Sequence, residues 1–333
     1  MSRRDVLALL RQREGDYVSG QEISDRLGLS RTAIWKAVDA LRREGYTVEA
    51  RTGRGYRLLD APDALTEPEI RRFLGETARV GRALVCLPEV DSTNLRAKQL
   101  AAEGAADGTV VAADLQTAGR GRLGRSFQSP GGRGIYLTAL LRPDLPPERV
   151  SPVAAKARVA VCRAIERICG ASPRLKWPND PVLGGRKVCG ILTELSLEGE
   201  TGRVQDLELG IGINVSQRPE DFTPEVREIA TSLAQAVGHP VSRPALAAEV
   251  IREVDRLYAA LAAGESGPYL TEYRRRCVNL GRTVRLLGTD GGETAEALDI
   301  DGDFGLVVRM ADGTVRTVRS GEVSVRGLYG YTE

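Results

Sequence analysis

The sequence predicts an α+β chain in three parts: an N-terminal helix-turn-helix with a β-hairpin, a central mixed β-sheet with helices on one face, and a small C-terminal β-barrel. Three observations predict this order. Apolar residues recur at helical spacing through residues 5–41 and stop at glycines. From Arg82 onward, strand-like and helix-like runs alternate across short Gly-rich turns. From Gly281 to Gly327 the runs become short and β-like, punctuated by Asp-Gly and Gly-Gly turns. The shifts divide the chain into 1–60, a linker with a short helix over 61–80, a central domain over 81–278 and the barrel over 279–333.

The first part is built from three helices. Val6, Leu7, Leu9 and Leu10 mark the first, within Asp5–Arg13. Ser19 with Glu22 forms a capping box that opens the second, through Ile23 and Leu27, with a break at Gly28. Ser30 caps the third, whose Ile34, Val38 and Leu41 fall at i, i+4 and i+7 before Gly45. Tyr46–Ala50, the turn Thr52-Gly-Arg-Gly55 and Tyr56–Leu59 then read as a hairpin with Arg54 at its tip. This stretch resembles winged-helix transcription regulators. On that reading Arg31, Thr32, Trp35, Lys36 and Arg42 face DNA from the third helix and Arg54 from the wing. After the linker Asp60–Leu65, Thr66 with Glu69 caps a helix to about Leu74.

Charge supports two separate basic regions. The 333 residues carry 47 Lys+Arg, 45 Asp+Glu and a single His, for a net charge of +2. Residues 1–60 hold 12 basic and 9 acidic side chains; the rest holds 35 and 36. Within the latter, Leu115–Pro143 contains Arg120, Arg122, Arg125, Arg133 and Arg142 and no carboxylate, the pattern of an anion site. The lone His239, in a Gly-His-Pro turn, argues against a Ser-His-Asp triad and excludes polyhistidine metal sites. Cys86, Cys162, Cys169, Cys189 and Cys277 form no C-x-x-C pair and read as buried, reduced thiols. No apolar leader opens the chain and no run of about 18 apolar residues occurs, so a cytoplasmic protein away from membranes is expected.

In the central part, Leu84–Leu87, Thr109–Leu115, Ile135–Leu141, Arg174–Trp177, Arg186–Leu197 and Val204–Val215 read as strands. Helices are expected from Ser92, as N-cap, through Ala101 and over Val153–Ile168. Tight turns between neighbouring strands imply antiparallel or mixed pairing. The loop Gly119-Arg-Gly-Arg-Leu-Gly124 literally matches G-x-G-x-x-G, but a dinucleotide fingerprint must run directly into a helix. Ser126-Phe-Gln-Ser-Pro-Gly-Gly-Arg-Gly134 cannot supply one, and no P-loop motif occurs. The loop reads instead as a mobile Gly/Arg segment that wraps an anion. Lys176-Trp-Pro-Asn-Asp180, Lys187 at the head of an apolar strand, and Gly210-Ile-Gly-Ile-Asn214 complete the constellation. A Lys in that place usually snorkels to water; beside an Arg loop it also suits a phosphate.

Together these segments resemble the biotin protein ligases. The matching elements are Asp91–Asn94, Gln116–Arg125, Lys176–Asp180, Gly185–Ile191 and Gly210–Asn214, covering roughly residues 85–215. With the winged helix in front, the whole chain resembles the bifunctional class that also represses the biotin biosynthetic operon. The resemblance implies a biotin/lipoate ligase-like sheet and a C-terminal SH3-like barrel, with Gly321–Arg326 as its closing strand. It implies ATP and biotin as substrates, Mg²⁺, biotinyl-5′-AMP as intermediate, and transfer to a lysine of the biotin carboxyl carrier protein of acetyl-CoA carboxylase. Operator DNA and a homodimer formed on adenylate binding are the other implied partners.

By the same resemblance, Ser92, Thr93, Asn94, Gln116, Gly119, Arg120, Gly121, Arg122 and Lys187 bind biotin. Arg122, Arg125, Asn179, Asp180, Lys187 and Asn214 serve ATP and the adenylate, Lys187 and Arg122 are catalytic, and Asp180 is a Mg²⁺ ligand. Asn214 also suits simple turn chemistry. The residue types fit independently: bringing a carboxylate onto a triphosphate requires cations rather than a histidine base. Where the family usually carries Trp, this chain has Phe127, which lacks an indole N–H. No adenine contact is assigned in Ser216–Val226. A ligase without a working repressor, a ligand-sensing regulator without catalysis and a lipoate-type ligase are the alternatives. The Arg243–Ala263 helix, with Leu246, Val250, Val254, Leu257 and Leu261, reads as core packing.

Overall fold

The computed structural model describes residues 2–13, 15–288, 291–319 and 324–327, and the chain divides into two units, Met1–Ala64 and Leu65–Glu333. In the first, helices Ser2–Gln12, Gly20–Leu27 and Arg31–Arg43 pack with an antiparallel hairpin of β1 (Thr47–Arg51) and β2 (Gly55–Asp60). Val6, Leu10, Ile23, Ile34, Val38, Leu41, Val48 and Leu58 form its core. Half of the capping box forms: Glu22 N–H donates to Ser19 Oγ at 3.0 Å, while the Glu22 carboxylate turns to Arg26 at 3.1 Å. Gly28 and Gly45 take the positive φ that ends the second and third helices. At Gly55 a side chain has no place, because a Cβ would fall 2.0 Å from Val18 O, where the hairpin joins the chain ahead of the second helix.

The second unit begins with the helix Glu67–Leu74, which packs Ile70 and Leu74 into the unit's core rather than standing apart as a linker. Thr66 occupies the N-cap position without making the side-chain cap bond, and Ser92 does the same at the helix Thr93–Ala102. Ser92 is therefore an N-cap by position only. The central sheet runs in the order β3 (Leu84–Val90), β4 (Val110–Gln116), β5 (Gly134–Leu141), β10 (Val204–Asn214), β9 (Cys189–Leu197). Only β3 and β4 are parallel; the other neighbours run antiparallel, giving the mixed sheet the tight turns imply.

Alternation across this sheet decides what covers each face. Ile135, Leu137, Ala139, Leu141, Leu207, Leu209, Ile211 and Ile213 belong to the main core with the helices Val153–Cys169 and Arg243–Ala262. The opposite face presents Thr138, Glu208, Gly210 and Gly212, and carries the helix Thr93–Ala102 and the Gly119–Arg125 loop.

Arg186–Leu197 is not one strand. β6 (Arg174–Lys176), β7 (Asp180–Leu183) and β8 (Arg186–Lys187) form a separate antiparallel sheet, and β9 starts anew at Cys189. The C-terminal strands β11 (Thr283–Gly288), β12 (Gly291–Ile300), β13 (Leu306–Met310), β14 (Val315–Val318) and β15 (Ser324–Gly327) form an antiparallel sheet in the order β14-β13-β12-β11-β15. Residues 289–290 of the Thr289 turn and 321–323 of the closing strand lie outside the described residues. A helix that the periodicity did not announce, Gly267–Arg276, packs Tyr269 and Tyr273 into the core.

Candidate functional site

The polar end of the site is the start of the helix Thr93–Ala102. Thr93 donates its backbone N–H to Gln116 Oε1 at 2.9 Å, and its hydroxyl lies 3.1 Å from the same oxygen. Gln116 passes the chain on from Nε2 to Ser129 Oγ at 2.8 Å, and Ser129 donates to Phe127 O at 3.0 Å. Asn94 accepts from Thr138 Oγ1 at 2.7 Å and donates through Nδ2 to Glu194 Oε2 at 2.8 Å. Ser92, Thr93 and Asn94 are all buried. A side chain at Gly210 would meet Asn94 Oδ1 at 2.1 Å, so that glycine makes room for the amide.

The Arg-rich loop folds back on itself. Gly121 N–H donates to Arg125 O at 2.7 Å, Phe127 N–H to Gly119 O at 2.8 Å, and Arg120 bridges to Ser126. Gly119 is held so closely that a Cβ would lie 2.3 Å from Phe127 O. Arg120 pairs with Glu194 at 3.0 Å. Leu123 sits at the loop's turn with φ of 55° and is exposed, as are the neighbouring Gly124 and Arg125. Arg122 is half-buried.

Phe127 lays its ring on a glycine floor. Gly190 and Gly212 are cross-strand partners, and a Cβ on either would lie 3.0 or 2.6 Å from that ring. The ring also meets Tyr136 edge-on, with centroids 6.4 Å apart. The floor continues to the cationic end, because Lys187 Cε lies 3.9 Å from a Cβ placed on Gly190.

At that end Lys187 Nζ pairs with Asp180 Oδ1 at 2.6 Å. The Lys187 backbone is clasped by Ile229 O and Thr231 N–H at 2.8 and 2.9 Å, and Asn214 Nδ2 donates to Thr231 O at 3.2 Å. The turn preceding Asp180 is braced from beneath. Arg158 donates to Asn179 O at 3.0 Å and to Asn179 Oδ1 at 2.7 Å, and Tyr273 Oη donates to Pro178 O at 3.2 Å. Trp177, whose bond to Pro178 is cis, donates its backbone N–H to Asn279 Oδ1 at 2.7 Å and its Nε1–H to Phe304 O at 2.9 Å. Burial lowers the pKa of Arg158, while the nearby Tyr273 and Asp180 act to raise it and Arg122 to lower it. Burial pushes the Cys189 thiol up to about 12, which leaves it no nucleophile beside Lys187.

The structure thus brings Thr93, Asn94, Gln116, Gly119 and Arg120 into one hydrogen-bonded group and Asp180, Lys187 and Asn214 into another, while Ser92, buried beside the first, bonds to Asp91 instead. Arg125 stays outside both, with its side chain exposed. Asn179 turns its oxygens toward Arg158. Sequence reasoning missed Arg158, Thr138, Ser129 and Glu194. Thr138 had a signal, as a polar residue inside the apolar run Ile135–Leu141, and so did Arg158, in the apolar helix Val153–Cys169.

In the first unit Arg31, Thr32, Trp35 and Lys36 form an exposed strip, with Trp35 56% accessible. Arg42 does not join it: its guanidinium donates twice to Val48 O, at 3.0 and 2.7 Å, and seats the hairpin on the helix. Arg54, at the hairpin tip, lies over the Tyr17 ring at 5.7 Å.

A model of the Biotin/lipoate A/B protein ligase family matches residues 87–214, and an HTH domain model matches residues 2–57. The chain is 38% identical over 323 residues to the bifunctional ligase/repressor BirA of Bacillus subtilis, spanning 97% of this chain and 98% of that one. With the protein of the same name from Escherichia coli the identity is 32% over 324 residues, 96% of each. Among solved structures it is similar to the biotin protein ligase from Aquifex aeolicus in complex with biotin and ATP, at a TM-score of 0.64 and 31% identity, covering 74% of this chain and 99% of that one. Winged helix, glycine-floored sheet and Arg-rich loop occur here in one chain aligned with these relatives almost end to end, and the chain belongs to the bifunctional biotin ligase/repressor family.

Proposed function

We propose that the protein is an ATP-dependent biotin protein ligase and a DNA-binding repressor of biotin biosynthesis. The observation that carries the ligase reading is the glycine floor of Gly190 and Gly212, which joins a polar group of buried Thr93 and Asn94 with half-buried Gln116 to a cation at Lys187. A ligand that takes the place of the Phe127 ring on this floor sets a hydrogen-bonding head at one end and a carboxylate at the other.

The biotin carboxylate oxygen attacks the α-phosphorus of ATP and pyrophosphate leaves. The amine of a carrier-protein lysine then attacks the carbonyl of the mixed anhydride and AMP leaves. Ser92, Thr93, Asn94 and Gln116 bind the ureido head, and Gly119, Arg120, Gly121 and Arg122 close over it. Lys187 and Arg122 offset the repulsion between carboxylate and phosphates. Asn214 holds the Thr231 segment against Lys187, and Asn179, engaged by Arg158, fixes the turn that presents Asp180. Arg125, on the exposed side of the loop, meets only the outer part of the nucleotide.

Magnesium, brought on the triphosphate, supplies charge neutralisation. Asp180 is the carboxylate beside Lys187 that can join its shell, and no group of three His, Cys, Asp or Glu side chains among the described residues forms a cage. Arg31, Thr32, Trp35 and Lys36 face the major groove, and Arg54 reaches the backbone from the wing. The carrier is the biotin carboxyl carrier protein of acetyl-CoA carboxylase. Ordering of the Arg120–Arg125 loop by adenylate favours a homodimer spanning a palindromic operator; sedimentation showing an unchanged monomer with biotin and ATP would sink that coupling. No helix among the described residues is long and apolar enough to cross a membrane. Pyrophosphate release from ATP is expected with biotin and not with lipoate, and release with lipoate alone would overturn the substrate.

A further inference from the structure

We propose that Glu194 is a positioning residue for the ligase reaction, one carboxylate that holds the Arg-rich loop and the amide of Asn94 in register with each other. The proposal rests on the ligase reading above and adds to it a residue which no motif of the sequence marked. Glu194 lies on β9 and divides its two oxygens: Oε1 takes Arg120 of the loop at 3.0 Å, and Oε2 takes Nδ2 of Asn94 at 2.8 Å. The other amide atom of Asn94 is fixed as well, since Oδ1 accepts from Thr138 and sits in the space left by Gly210. Donor and acceptor of this buried amide are therefore assigned from both sides, and its orientation depends on Glu194 being an acceptor.

The far side of the loop is tied to the same helix start. Thr93 N–H, Gln116, Ser129 and Phe127 O form an unbroken hydrogen-bonded chain, so residues 116 and 127–129 cannot shift without disturbing Thr93. Arg120 to Glu194 is the tie on the loop proper. It differs from the others in being partly open to solvent, with side chains 45% and 33% accessible, whereas Asn94 is buried. A screened ion pair is weak enough to open and reclose as ligand enters and leaves. A buried amide on the same carboxylate makes each closure reset the head-binding group. Loop closure and amide orientation thus become one event.

Two substitutions separate the halves of this arrangement. Glu194→Gln keeps an oxygen for Asn94 and removes the charge that holds Arg120; Glu194→Ala removes both. In biotin-dependent pyrophosphate release, the biotin KM should rise about threefold in the first and about tenfold or more in the second, with kcat at saturating biotin within about twofold of wild type. Release of preformed biotinyl-5′-AMP should quicken in the same order. In an Arg120→Gln background, Glu194→Gln should add less than about twofold, because the shared contact is already gone. Wild-type biotin KM and adenylate release in Glu194→Ala would overturn the proposal. So would a fall in kcat at unchanged KM, or full multiplication of the two effects in the double variant. If wild-type protein releases no pyrophosphate with biotin, the ligase reading itself falls and takes this one with it, an outcome the variants alone cannot produce.

Discussion

The two basic regions of the molecule use cations in opposite ways. On the third helix, Arg31 and Lys36 are exposed and make no ion pair among the described residues. In the ligase unit, Lys187 is held by Asp180, Arg120 by Glu194, and Arg158 by Asn179. The difference follows from the partner. A phosphate backbone is bound by displacing counterions, which suits long, solvated, adaptable side chains. A transition state is stabilised by charges already in place, which suits side chains that have paid their ordering entropy on folding. The charge total of +2 conceals both regimes.

Removing Lys187 should separate them most sharply. Lys187→Ala is expected to slow biotin-dependent pyrophosphate release on the order of a hundredfold while DNA binding stays intact, because preorganised charge is worth that much at a reacting centre. Release within a few-fold of wild type would remove Lys187 from the chemistry. Next in size is the glycine that makes room for Asn94. Gly210→Ala should lower the unfolding free energy by about 1–3 kcal/mol and raise the biotin KM, since the added methyl overpacks a buried amide. Denaturant unfolding indistinguishable from wild type would show that the sheet yields instead.

Trp177→Phe tests the brace under the Asp180 turn. Losing Nε1–H leaves Phe304 O without that donor and should cost about 1–3 kcal/mol of stability, with the ATP KM rising more than that for biotin. An unshifted ATP KM would detach the brace from the site. The smallest effect belongs to the solvated region. Arg54→Ala should weaken binding to duplex DNA and reduce the slope of log affinity against log salt by about one, with ligation unchanged. An unaltered slope would take Arg54 off the phosphates.

How far all this was legible in the sequence depended on the range of the interactions. The winged helix was legible because its signals are local: Ser30 at the N-cap, Gly45 at the stop, and a Gly-flanked wing. The Arg-rich loop was legible because so much glycine and arginine without a carboxylate has few other uses. Arg42 misled because helical spacing gives only a face, and Val48 O, which takes its guanidinium, arrives from the following strand. The strand read through Lys187 breaks because Lys187 pairs with Val182 and Cys189 with Ile213, partners 5 and 24 residues away that no alternation reveals. Glu194 stayed hidden for the same reason: Asn94 stands 100 residues before it.

One contact made by the C-terminal strands extends the enzyme beyond its sheet. Phe304 holds a positive φ of 65°, an unfavoured backbone for a bulky side chain, in a turn shaped by the Asp301 carboxylate, which accepts Gly305 N–H at 2.7 Å. There it offers its carbonyl to Trp177 and its ring to Tyr273, with centroids 5.4 Å apart. The turn between β12 and β13 is thus part of the tooling that sets the height of the Asp180 turn. Lesions in it should be inherited as defects in handling ATP, and any attempt to trim the enzyme to its sheet would discard the jig along with the offcut.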